Sequence, residues 1–177
     1  IETAEEGRKY IGLDLPAVIS EMSGIIPSQL DGEKQELVRF CAVDATNYQS
    51  LEKALSDVKG EFCINTEGLL MYFSDAEIHP FLDNIKKLLD IHGGCWITAD
   101  PETSIQFIVS TQAIFGDRFM EIMLKGKKRA EDKSDVPVSN RTLVIDPSRA
   151  EENMRRAMMF LALHGLKAER LIIGEHL

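Results

Sequence analysis

Residues 61–73 read EFCINTEGLLMYF, and this stretch decides the fold. A short apolar run, Phe62-Cys63-Ile64, breaks at Asn65-Thr66-Glu67-Gly68, and a second run, 69–73, leads into Ser74. An apolar run of strand length that stops at polar residues and glycine suggests a buried strand ending at a sheet edge. In open α/β sheets ligands sit beyond the carboxyl ends of the strands, so Thr66, Glu67 and Gly68 lie where a site would be built. An ordinary strand-to-helix turn with a solvated glutamate fits the same letters, so the neighbouring segments have to decide.

Working outward, the same punctuation recurs. Tyr10-Ile11-Gly12-Leu13 is a short strand ending in Asp14, and Leu15-Pro16 opens a helix over 16–22, proline being suited to a first helical position. A second strand over 38–43 (VRFCAV) ends in Asp44, followed by Ala45-Thr46-Asn47 and a helix over 48–58. After the quoted stretch, Ser74 and Glu77 are spaced as a capping box. Ile78, Phe81, Leu82, Ile85, Leu88 and Leu89 then recur at three and four, marking one buried helical face that stops at His92-Gly93-Gly94. A fourth strand over 95–99 (CWITA) ends in Asp100. Four strands thus end at Asp14, Asp44, Glu67 and Asp100, separated by helices at the spacing of βαβ units. Parallel strands would align these carboxylates along one edge of a sheet. One such acid is usually a cap or a solvated turn residue; four are harder to dismiss, although two suffice to hold a ligand.

Residues 102–146 depart from the alternation: 104–124 reads as helical with a break at Gly116, and 125–135 is a charged loop. This insertion suits a lid over a site, or equally a packed helical decoration. Ser148 and Glu151 repeat the capping-box spacing before a helix whose face carries Met154, Ala157, Met158 and Leu161, with Gly165 as its stop and 166–173 as a fifth strand. Three segments follow: a core over 1–101, the insertion over 102–146, and a return of the core over 147–177. Residues 1–9 read as the tail of a helix rather than a natural beginning.

Composition narrows the function. A chain of 177 residues, 44% hydrophobic and 28% charged, is a single globular domain's worth. A formal charge of −9 argues against a nucleic-acid partner, and the one basic cluster, KGKKR at 125–129, runs straight into acidic residues. No apolar run reaches membrane-spanning length, so no membrane partner is expected. Cys41, Cys63 and Cys95 each sit in an apolar run without CxxC spacing, and read as buried free thiols in a reducing compartment, the cytoplasm. The four histidines form no HxxxH or HExxH pairing, and no metal is expected.

An acidic residue after the second strand of a Rossmann-type half holds ribose hydroxyls, which points to a nucleoside-containing ligand. Yet no GxG occurs among the twelve glycines, so the loop that would carry the other end of such a ligand is absent. YIGLDLPAVI, the aspartate of VDATN, NTEGLLMYFSDAEI and GGCWITADP together resemble the class I S-adenosylmethionine-dependent O-methyltransferases, closest to the leucine carboxyl methyltransferase-like branch that includes polyketide-biosynthesis O-methyltransferases. The resemblance covers residues 10–100 well and the final helix and strand loosely. It implies a Rossmann-like, doubly wound, mostly parallel sheet with a helical insertion after the fourth strand. It also implies S-adenosylmethionine as cofactor and a small-molecule carboxylate or hydroxyl as methyl acceptor. Asp14, with Leu15 beside it, would bind the ribose, and Asp44 with Ala45 would recognise adenine. Thr66, Glu67 and Gly68 would lie beside the transferable methyl. Residues 102–146 would cover the acceptor pocket.

In that family a strand and its glycine-rich loop precede the strand matched by 10–13, and here they are missing. That strand is central and flanked on both sides, so a sheet without it is expected to have two exposed edges and a gap. Truncation of the natural N-terminus, weak cofactor binding and pairing between copies are the corresponding expectations. No residue is assigned as a catalytic base: a carboxylate acceptor needs none, and Tyr72, the one hydroxyl near the turn besides Thr66, is expected to pack. Two other functions stay open, a nicotinamide-nucleotide oxidoreductase and a non-catalytic interaction module.

Overall fold

The computed structural model describes residues 8–25, 37–98, 113–118, 121, 125 and 150–169. These form a mixed α/β structure in two compact units, residues 1–59 and 60–177.

In the first unit, β1 (Tyr10–Asp14) pairs in parallel with β2 (Val38–Ala42), Tyr10 opposite Val38 and Asp14 opposite Ala42. Gly12 stands opposite Phe40, and the phenyl ring lies over it: a Cβ at Gly12 would fall 2.5 Å from Phe40 Cε1. The glycine is there because the ring occupies the space of a side chain. Helix α1 (Pro16–Ile25) begins at the expected proline but runs past Gly24 to Ile25, since one glycine in a last turn costs only about 1 kcal/mol. Helix α2 (Tyr48–Leu55) is capped by Asn47, whose side-chain oxygen accepts from the Gln49 and Ser50 amides at 3.0 and 3.3 Å. Its Leu51 and Leu55, with Val43 beyond β2, are the buried apolar residues among those described in this unit. Arg39 fastens β2 to the end of α2 through the Asp57 carboxylate (2.9 Å) and the Ala54 carbonyl (2.8 Å).

In the second unit, β3 (Phe62–Thr66) pairs in parallel with β4 (Gly94–Thr98). Leu70–Tyr72 forms a 3₁₀ turn, and α3 (Asp75–His92) follows. The Glu77 carboxylate accepts from the Ser74 amide at 2.8 Å, the expected reciprocal contact of the helix start. Gly93, at φ +76°, ends α3 by donating its N–H to the Leu89 carbonyl. The anticipated helical face forms the core: Ile78, Phe81, Leu82, Ile85 and Leu88 are buried, with Leu82 fully enclosed. Phe81 packs against Phe73 and edge-on against Trp96 of β4. Helix α4 (Ala150–Leu163) adds Met154 and Ala157 to the buried set. Gly165 at φ +72° ends it; its N–H bonds the Ala162 carbonyl, and the Leu166 N–H reaches back to Leu161, the double bond of a Schellman motif.

Several expectations are corrected or fall elsewhere. The four strands do not form one ladder: among the described residues they make two two-stranded parallel sheets, β1-β2 and β3-β4. Cys63 and Cys95 are exposed rather than buried, because alternate residues of β3 and β4 face away from α3. All three cysteines are free. Tyr72 is 42% exposed instead of packed, since the 3₁₀ turn gives Leu70 the inward position. Asp100, Ser148 and most of 102–146 lie outside the described residues; of the expected fifth strand, 170–173 lie outside them as well, and 166–169 form no strand. No helix among the described residues is long and apolar enough to cross a membrane.

Candidate functional site

The expected site residues fall in two groups, one at the carboxyl end of each parallel pair. In the first unit Asp14 closes β1 and its carbonyl accepts from the Val43 amide at 2.9 Å, one residue before Asp44. This bond brings Asp14 and Asp44 to the same end of the β1-β2 ladder, as parallel pairing of two strand-terminal acids requires. Both are exposed.

Each carboxylate is oriented by its own turn. Asp14 Oδ1 accepts from the Leu15 amide at 2.7 Å, while Leu15 is 46% exposed and directs no bulk into a core. Asp44 Oδ1 accepts from the Thr46 amide (2.9 Å) and from the Thr46 hydroxyl (2.6 Å), and the Asp44 amide donates to Ser50 Oγ at 3.2 Å. Local turns of this kind hold an aspartate without burying it. An ionised carboxylate has about four acceptor positions, so these contacts leave capacity for ligand hydroxyls or amines. Ala45, next to Asp44, is half-buried and small.

In the second unit Thr66 ends β3 opposite Thr98. Its Oγ1 accepts from the Trp96 indole N–H at 3.0 Å, which ties the strand end to the aromatic core through Phe81. Glu67 is exposed, with Oε1 accepting from the Asn65 side-chain amide at 3.3 Å. Gly68 turns the chain at φ +63° with nothing within 4 Å of where a Cβ would stand, so the backbone there is open to an approaching group. A left-handed glycine directly after a strand-end acid is the kind of position at which a ligand can meet backbone without steric cost.

Sequence reasoning missed one constellation. The imidazoles of His79, on α3, and His164, beyond α4, meet at 3.0 Å (Nδ1 to Nε2), and His164 Nδ1 contacts Asp83 Oδ1 at 2.7 Å. Phe160 packs edge-on against both rings. His79 and His164 are 85 residues apart, one on α3 and the other in the turn after α4, and no spacing in the sequence links them. Among the described residues no group of three or more His, Cys, Asp or Glu could hold a metal ion.

No family model matches the chain, nor does any curated protein or any solved structure.

Proposed function

We propose that the chain is an S-adenosylmethionine-dependent O-methyltransferase, or a large piece of one, built on a Rossmann-like doubly wound sheet and acting on a carboxylate or hydroxyl of a small molecule. The observation that carries this reading is the pair of exposed acids, Asp14 and Asp44, brought to one end of a parallel ladder by the bond from Val43 N–H to the Asp14 carbonyl. Carboxylates accept from hydroxyls and exocyclic amines, and nucleoside ligands present both in open α/β sheets. Asp14, beside Leu15, suits the ribose, and Asp44, beside the small Ala45, suits the adenine. In the second unit, Thr66, Glu67 and Gly68 close the other ladder, and the open backbone of Gly68 admits a close approach there.

The cofactor, when bound, supplies a methyl group on a sulfonium, which an acceptor oxygen attacks. The chain's own residues bind, orient and exclude water, the contribution expected where the reactive group belongs to the cofactor. An acceptor carboxylate is already ionised at neutral pH, so none of the residues named here has to remove a proton.

Calorimetric titration of the folded chain with S-adenosylhomocysteine tests the reading, with NADH as the competing nucleotide and Asp14→Ala as the variant. Binding of S-adenosylhomocysteine that the variant loses and NADH does not match is the expected result. Binding of NADH alone would transfer the site to an oxidoreductase. No binding of either to folded protein would leave a non-catalytic interaction module.

A further inference from the structure

Cys63 and Cys95 stand directly opposite each other on the β3-β4 ladder. Both are exposed, on the face of the sheet that also carries Asn65 and Ile97 and lies away from α3. Opposite positions of a parallel ladder place the two side chains next to each other on this face. Neighbouring parallel strands hold opposite Cα atoms roughly 4.8 Å apart, inside the about 4.4–6.8 Å range of disulfides. Parallel partners point side by side rather than toward each other, so a bridge would draw the strands together and store strain. Strained, exposed disulfides have high reduction potentials and are the labile ones, and transient disulfides of this kind occur even in reducing compartments.

We propose that Cys63 and Cys95 form a vicinal dithiol that reacts with small-molecule disulfides and closes reversibly to a cross-strand disulfide.

The resting state is the dithiol. Although Cys95 is exposed as a residue, partial desolvation of its sulfur pushes its thiol up, helped by the neighbouring Cys63 and by the negative charges of Glu169 and Glu61. A thiol held up in this way is the poorer attacking group, so the exchange begins at Cys63. Cys63 Sγ displaces one thiolate from the incoming disulfide and forms a mixed disulfide, its own proton having gone to solvent. Cys95 then loses its proton, attacks Cys63 Sγ, forms the Sγ–Sγ bond and releases the second thiolate. Two chain thiols are oxidised by two electrons, and one small disulfide is reduced to two thiols. The second displacement is intramolecular, so the mixed disulfide does not accumulate. Cys41 lies on β2 in the other unit and takes no part.

The test is exposure of the native full chain to oxidised glutathione, followed by intact mass and peptide mapping. The expected product has lost two hydrogens, carries a Cys63–Cys95 link, outnumbers glutathionylated forms at these two positions by about tenfold or more, and reverts with dithiothreitol. Cys41→Ser should behave the same. Cys63→Ser and Cys95→Ser should instead retain glutathione on the remaining strand cysteine. In denaturant, links involving Cys41 should appear as well. A native chain that stops at glutathionylated Cys63 or Cys95, or that links Cys41 as readily as the strand pair, overturns the proposal. So does a native chain that takes up no glutathione and forms no link.

Discussion

Replacing Gly94 by alanine tests the close approach on which the β3-β4 ladder depends. Gly94 begins β4 at φ +96°, opposite Phe62. A Cβ there would lie 2.7 Å from the Phe62 carbonyl carbon and 2.8 Å from its nitrogen, closer still to its oxygen. Those are backbone atoms of the neighbouring strand, so no side-chain rotation relieves the contact. The backbone conformation itself costs an alanine about 1–2 kcal/mol. Relief of the clash must part the first rung, where the Phe62 amide donates to the Gly93 carbonyl at 3.3 Å, and a lost backbone bond of that kind is worth about 1 kcal/mol. The sum is about 2–3 kcal/mol, roughly thirty- to a hundred-and-fiftyfold in the folding equilibrium. Trp96, the one tryptophan of the chain, lies two residues further along β4 and reports the event directly. Urea unfolding followed by its fluorescence should show a midpoint far below that of the parent. Gly24→Ala is the control: nothing lies within 4 Å of that position, it is helical, and its midpoint should stay level or rise. A Gly94→Ala protein within about 0.5 kcal/mol of the parent, the size of an ordinary surface substitution, would refute the register described for this ladder.

Other substitutions probe the remaining supports. Leu82→Ala removes a fully enclosed side chain and should cost about 3 kcal/mol in urea unfolding, whereas Leu89→Ala, on the half-buried margin of the same face, should cost clearly less. Thr66→Val takes the acceptor from the Trp96 indole while keeping the shape, and should shift Trp96 emission and lower stability by about 1 kcal/mol; unchanged emission would contradict the bond at 3.0 Å. The hydrogen bond from Arg39, then the backbone contact within Asp57, hold the Asp57 carboxyl below the ordinary aspartate range. A carboxyl lowered on folding stabilises the folded chain above its unfolded value and loses that contribution as pH falls through the folded one. The melting temperatures of the parent and Asp57→Asn should therefore differ at neutral pH and converge below about pH 4; a constant difference across that range would show that the ion pair is not the cause.

Local features were legible in the letters because they depend on residues a few positions apart. The proline start of α1, the Ser74–Glu77 contact before α3, the stop at Gly165, and the buried stripe from Ile78 to Leu88 all follow from backbone hydrogen bonding within one or two turns. The acids at strand ends were legible in the same way, and Asp14 and Asp44 do share one end of a ladder. The His79–His164–Asp83 contact was not legible, since it joins helices more than eighty residues apart by a geometry that no spacing records.

The sequence by itself determined where β1 to β4 and the helices that follow them stand, which helix faces are apolar, and that acids follow the strands. Periodicity and capping are short-range physics, and the chain obeys them wherever it folds. Only the tertiary structure decided which strands pair. Among the described residues it paired β1 with β2 and β3 with β4, set Gly12 beneath the Phe40 ring, and placed Cys63 opposite Cys95 on an open face. Strand partners are chosen by contacts between distant segments, and an apolar run reads the same whether one of its faces or both are covered.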